Sequence, residues 1–152
     1  MLDCISVENM RRSDALTIQR YVPSLELMGR AAMGVFLATA WKGPVAIVAG
    51  SGNNGGDGFA LACILQEKKI DCTVFTLSEK LSADSAFYAE KAREMGVKVK
   101  TFTQDCLPGF SMVVDCLLGP DSGVTCGKAT ALPLRPSMPA MPWLSAWIST
   151  AA

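Results

Sequence analysis

"VAIVAGSGNNGGDGFALACIL", residues 45–65, decides how the rest of the chain is read. It opens as a continuous apolar run of strand length, the mark of a strand buried on both faces. It closes as an apolar helix with Ala60, Leu61, Ile64 and Leu65 turned inward. Between them lie five glycines, two asparagines and one aspartate. Residues 50–55 match G-x-G-x-x-G after a strand, a loop type that holds phosphate. Asp57 is then the puzzle, since it puts a carboxylate where an anion should bind. In one reading Gly55, Gly56 and Gly58 delay the helix, and Asp57 caps it from Gly58. In the other, the N–H groups of 52–56 form a phosphate nest with the helix N-terminus behind it, and the asparagine oxygens suit a simple cation.

Working outward, the chain alternates strand and helix. Residues 8–21 read as a surface helix. Pro23 breaks it, and Ser24 is placed to cap a second helix over 25–41, in which Gly29 and Gly34 mark either close packing or a loop. A strand is expected at 71–77, a helix capped by Asp84 and stopped at Gly96, an outer strand at 97–102, and a buried strand at 111–119. This order predicts an α/β fold with a mostly parallel sheet and helices on both faces. Asp115 lies near the end of the last apolar strand. If that strand neighbours the one at 44–50, Asp115 comes close to Asn54 at the carboxyl ends of the strands, where ligands sit in open α/β sheets. A buried aspartate there needs a cation or a hydrogen-bond donor.

Composition narrows the function classes. Half of the 152 residues are apolar and the net charge is zero, without a basic run, so neither nucleic acid nor an anionic membrane has an electrostatic footprint. No apolar run reaches membrane-spanning length and the N-terminus lacks a signal-peptide core, which points to a cytoplasmic protein. Six cysteines without a C-x-x-C pair read as reduced core thiols. With no histidine in the chain, acid–base chemistry falls to other side chains.

"GNNGGDGFALA", followed by "VVDCLLG" and preceded by "VPSLELMGRAA", resembles the NAD(P)H-hydrate epimerase domain, the N-terminal half of many bifunctional repair proteins. The resemblance covers about residues 8–119. It implies a Rossmann-like three-layer α/β/α sandwich that epimerises the R and S forms of hydrated NADH and NADPH. By position, Asn53, Asn54, Gly55, Gly56, Asp57 and Gly119 would bind the hydrated nucleotide, and Asn54 and Asp115 would bind potassium. Full-length relatives are often fused to a dehydratase domain, and a homodimer is one option for assembly. Gly29 stands where relatives have glutamate or asparagine, a departure expected to loosen the N-terminal cover.

The character changes after Gly119. Residues 120–152 hold five of the eight prolines and fit neither the helix nor the strand period. The family continues with T-G-x-x-G and a V-D-I-P-S-G strand end that carries its probable acid–base aspartate, and neither is present. Read from each third base, Met138–Pro139 and Met141–Pro142 must give alanine and Trp147–Ile148 must give aspartate, and the flanking codons permit both missing motifs. The expectation is a partial epimerase-like domain at 1–119, incomplete at its C-terminus, and an out-of-frame tail at 120–152. No catalytic residue is then assigned. Two other readings stay open: a non-catalytic scaffold of the same fold, and an NAD-dependent dehydrogenase with Glu79 as the acid ending its second strand.

Overall fold

The computed structural model describes residues 6–117. Its elements are α1 (Val7–Arg20), α2 (Ser24–Ala38), β1 (Val45–Ala49), α3 (Asn53–Glu67), β2 (Cys72–Thr76), α4 (Ala83–Glu94), β3 (Lys98–Thr101) and β4 (Met112–Cys116). All pairings are parallel, in the order β3-β2-β1-β4. The parallel α/β expectation is met, with every residue of β1 buried at the centre. Of the strand expected at 111–119, Met112–Cys116 form β4 while Ser111 and Leu117 lie outside it, and 118–119 are outside the described residues.

Register separates the two faces. Ile47 pairs with Val74 and with Val114, and these belong to the core with Phe59, Leu61 and Leu65 of α3. The helices α2 and α4 pack on either side of α3. The steps from β1 to β2 to β3 run one way across the sheet, so right-handed crossovers put α3 and α4 on one face. The return from β3 to β4 runs the other way and belongs on the opposite face. Residues 102–111 make it, and the Phe110 ring meets Phe75 edge-on there at 5.6 Å. Gly119 and the whole of 120–152 lie outside the described residues.

Several helix ends differ from the sequence expectation. Pro23, not Ser24, is the N-cap of α2, and no side chain caps it. The cap of α4 is Ser82, whose hydroxyl accepts from the Ser85 N–H, while Asp84 sits in the first turn, where its charge still suits the helix dipole. Gly96 does stop α4: at φ +85° it lets Val97 N–H reach Ala92 O at 2.9 Å and its own N–H reach Arg93 O. The end of α3 has the same geometry, with Ile70 N–H bonded to Leu65 O, but Lys69 holds the left-handed position at φ +58°.

Candidate functional site

Strand order reverses between β1 and β4, and an open α/β sheet forms its ligand crevice beyond the carboxyl ends at such a reversal. The glycine loop leaves the end of β1 here. Val48 is in register with Asp115 and Ala49 with Cys116, so the two regions singled out in the sequence do meet at one place. Gly50 N–H extends the pairing by donating to Cys116 O at 2.9 Å.

The loop itself corrects the capping expectation. Helix α3 begins at Asn53 with Gly52 as N-cap, and Gly56 N–H already donates to Gly52 O. Asp57 therefore lies in the second turn and caps nothing. The donors at this end are first-turn helical N–H groups, not a non-helical nest over 52–56. The glycines answer to neighbours, not to a delayed start. A Cβ on Gly55 would collide with the Gly50 carbonyl oxygen, one on Gly56 would stand 2.7 Å from Met28 Sδ and Ser85 Oγ, and one on Gly58 would stand 3.0 Å from Cys116 Sγ. Each glycine costs the helix about 1 kcal/mol relative to alanine. In return, the first two turns press against β1, α2, α4 and β4 at once.

One side of this helix start faces α4. Ser85, fully buried, donates its hydroxyl to Gly52 O at 2.8 Å. Ser82 N–H donates to Ser51 O, and the Ser82 hydroxyl lies 3.0 Å from Asn53 Oδ1 and 2.8 Å from Ser85 Oγ. The N-termini of α3 and α4 are thus tied together, and two positive dipole ends converge on one spot suited to an anion. Sequence reasoning missed both serines. The available signal was the S-x-x-S spacing just ahead of a helical run.

The other side holds Asn54, Asp57 and Leu61, spaced by three and four residues. They line a cleft with Ala31, Ala32 and Val35 of α2 and with Val114 and Cys116 of β4. These walls are almost wholly apolar. Burial, followed by the Asp14 charge on α1, pushes the Asp57 carboxyl up from 3.8 to about 7. Near neutrality Asp57 is therefore divided between its neutral and charged forms, and the carboxylate stands beside the anion-suited spot, not in it. Cys116 has its thiol pushed far up by burial, then by Asp57 and Asp115, and is no nucleophile. Burial and the charge of Asp71 likewise take Cys72 to about 11.

Asp115 is exposed and its Oδ1 accepts from Leu117 N–H at 2.9 Å. Alternation along β4 sends it to the face opposite Val114 and Cys116, whereas Asn54 lines the cleft on their side. Among the described residues, no three His, Cys, Asp or Glu side chains gather as a metal site.

Gly29 does not loosen the cover, as its departure from the family pattern suggested. It makes room for Tyr88 of α4, whose hydroxyl donates to Leu25 O of α2 at 2.8 Å. A Cβ on Gly29 would lie 2.7 Å from that hydroxyl. Nothing lies within 4 Å of the corresponding position on Gly34, so close packing accounts for only the first of the two glycines.

A family profile described as YjeF-related protein N-terminus matches residues 24–138, and so extends past Gly119. The chain is 35% identical over 130 residues to the NAD(P)H-hydrate epimerase of Weissella koreensis, covering 78% of this chain and 57% of that protein. It is 32% identical over 125 residues to the protein of the same name in Rhodopirellula baltica, covering 76% and 51%. With the bifunctional NAD(P)H-hydrate repair enzyme Nnr of Coxiella burnetii it shares 28% over 116 residues, covering 72% and 24%. The chain thus spans little more than half the length of the epimerases it matches. The crystal structure of yeast ynu0 superposes with a TM-score of 0.68 over 84% of this chain and 61% of that one, at 21% identity, a likeness of fold.

Proposed function

Since the chain belongs to the family of the YjeF-related protein N-terminus, we propose that it binds hydrated NADH or NADPH and belongs to the machinery that epimerises their R and S forms. The observation that carries this reading is the reversal of strand order at β1 and β4, with N-N-G-G-D-G as the first turns of the helix that follows β1. The paired N-termini of α3 and α4 suit a nucleotide phosphate. Asn53 and the first-turn backbone N–H groups of Asn54 and Gly55 would form the anion side, Gly56 would let α2 and α4 close around them, and the Asn54 and Asp57 side chains would form the cleft side. A ring carbon that bears a hydroxyl can be inverted by letting the oxygen depart as water and return on the other face, a route in which a proton is given and taken back. A carboxyl that titrates near 7 can do both.

Potassium belongs to the same proposal. Asn54, in the first turn of the helix after β1, and Asp115, near the end of the neighbouring strand β4, offer the hard oxygens a simple cation takes. The ion would offset substrate charge, and the two residues' opposite faces are the point this reading must survive. A melting temperature raised by KCl more than by NaCl, with the difference abolished by Asp115→Asn, is the expected result. Equal effects of the two salts would remove potassium from the site. We also propose that residues 120–152 are out of frame, although the family match reaches residue 138. Sequencing the gene across the Gly119 codon decides it.

The direct assay follows conversion of purified R-hydrate to S-hydrate by chromatography, against the spontaneous rate. Because the strand-end aspartate and the T-G-x-x-G loop expected after Gly119 are absent, Asp57 alone is not expected to sustain turnover: the 152-residue chain should be nearly inactive, and restoration of one base near the Gly119 codon should recover activity. Full activity of the short chain would overturn the frame reading. Inactivity of the restored protein would overturn the epimerase reading.

A further inference from the structure

The start of α3 also carries chemistry in its own backbone. An asparagine followed by glycine can close a five-membered ring on itself, because the next nitrogen has no Cβ beside it to hinder its approach to the side-chain carbonyl. Three pairs in "NNGGDG", residues 53–58, come into question: Asn53–Asn54, Asn54–Gly55 and Asp57–Gly58. Asn53 is followed by a residue with a side chain. Gly58 lies far enough into α3 for its N–H to be held by the Asn54 carbonyl, four residues back. Gly55 is the third residue of the helix, ahead of Gly56, whose N–H is the first to donate to the cap carbonyl of Gly52. The first N–H groups of a helix have no intrahelical carbonyl, so no rung of the ladder holds the Gly55 nitrogen. Asn54–Gly55 alone combines both features.

While this turn is formed the ring stays open. Closure requires the Asn54 ψ to leave its helical range, about −42°, and the side chain is packed, only 6% exposed. The turn is nevertheless the weakest part of α3. Asparagine and glycine rank low as helix formers, and no side chain caps the helix. Its hold comes from α4, through Ser85 Oγ donating to Gly52 O, Ser82 N–H donating to Ser51 O and the Ser82 hydroxyl beside Asn53. We propose that Asn54 is a guarded deamidation site, at which local opening of the first turn of α3, without unfolding of the whole chain, lets the Gly55 nitrogen attack Asn54 Cγ. A bond forms between that nitrogen and Cγ, the Cγ–Nδ2 bond breaks, and ammonia leaves with the proton that the Gly55 nitrogen gives up. Water then opens the succinimide at either carbonyl, leaving aspartate or, with Cβ drawn into the main chain, isoaspartate. Either product carries a new carboxylate at a position that lines the cleft with Asp57. Isoaspartate also lengthens the backbone by one atom just where Gly55 and Gly56 fit without slack. The change is irreversible, and it holds whatever ligand the site takes.

The test incubates the full chain in warm, mildly alkaline buffer. Ion exchange separates the product, which is one charge more acidic, and peptide mapping locates the amide-to-acid change. Asn54 is expected to react at least about tenfold more slowly in the folded chain than in the urea-unfolded chain. Urea below the unfolding transition should change the folded-state rate little, because a local opening exposes little surface. Ser82→Ala and Ser85→Ala each remove a tie to α4 and should raise the folded-state rate about two- to tenfold, with the unfolded-state rate unchanged. Equal rates in the folded and unfolded chains, or deamidation that falls on Asn53 instead, would overturn the guarded site. A folded-state rate that climbs with urea in step with global unfolding would overturn the local opening, as would folded variants that react no faster than the parent. The urea series needs neither variant, so a failure of both to fold leaves that decision intact.

Discussion

Replacing Asp57 by asparagine removes a charge while keeping the shape of a side chain set among Ala31, Ala32, Val35, Leu61, Val114 and Cys116. In the unfolded chain this carboxyl loses its proton near 3.8, and in the folded chain near 7. Between those values the folded state holds the extra proton, so rising pH favours unfolding. The stabilising contribution is complete below about pH 4 and gone above about pH 7. At 1.36 kcal/mol per pH unit the gap corresponds to about 4 kcal/mol, which partial contact with solvent trims to about 2–4 kcal/mol. Asp57→Asn should therefore match the parent within about 1 kcal/mol at pH 4.5 and exceed it by about 2–4 kcal/mol at pH 8.5. Urea unfolding across that range, in potassium-free buffer and followed by tryptophan fluorescence, gives both curves. If they run parallel, Asp57 does not carry a raised pKa, and its role as a proton-handling group near neutrality goes with it.

A double-mutant cycle tests the Gly29–Tyr88 fit. Gly29→Ala should gain about 1 kcal/mol of helix stability in a Tyr88→Phe background, yet be neutral or destabilising with Tyr88 present, where the new methyl displaces a hydrogen bond worth about 1 kcal/mol; additive effects would show that the hydroxyl is not seated there. Gly56→Ala should cost about 1–3 kcal/mol by overpacking against Met28 and Ser85, and denaturation midpoints equal to the parent's would contradict the three-helix junction. Lys69→Gly, at the left-handed end of α3, should raise stability by up to about 1 kcal/mol, a gain visible as a shift of the urea midpoint without a change in slope.

The frame was legible in the sequence because its signals are strong ones. The apolar run at 45–49 could only be a central strand, and Gly96 stopped α4 as its backbone freedom predicts. The start of α3 was misread because three glycines and an aspartate argue locally against helix, while the contacts that select those glycines come from Met28, Ser85 and Cys116, far away in the chain. The same limit hid Tyr88 and Ser85, whose roles exist only once α2, α3 and α4 meet. The choice of Ser82 over Asp84 as cap turns on backbone dihedrals, which two adjacent cap-competent residues do not reveal. The face of Asp115 was readable from the alternation of "MVVDC", since Val114 and Asp115 must point opposite ways.

The cleft around Asp57 takes one wall from α2 and the other from β4, the last strand in the described chain. During synthesis the α2–β1–α3 unit emerges first, with Asp57 open to water along the side that Val114 and Cys116 will close. Its carboxyl is then less buried than in the closed sheet, and less burial leaves the charged form less disfavoured. Docking of β4 withdraws it from solvent and favours uptake of a proton, so the closing of the sheet is coupled to proton binding. In a weakly buffered solution near pH 6 containing an indicator dye, that uptake provides an optical signal for when this strand joins, separate from the signal for helix formation.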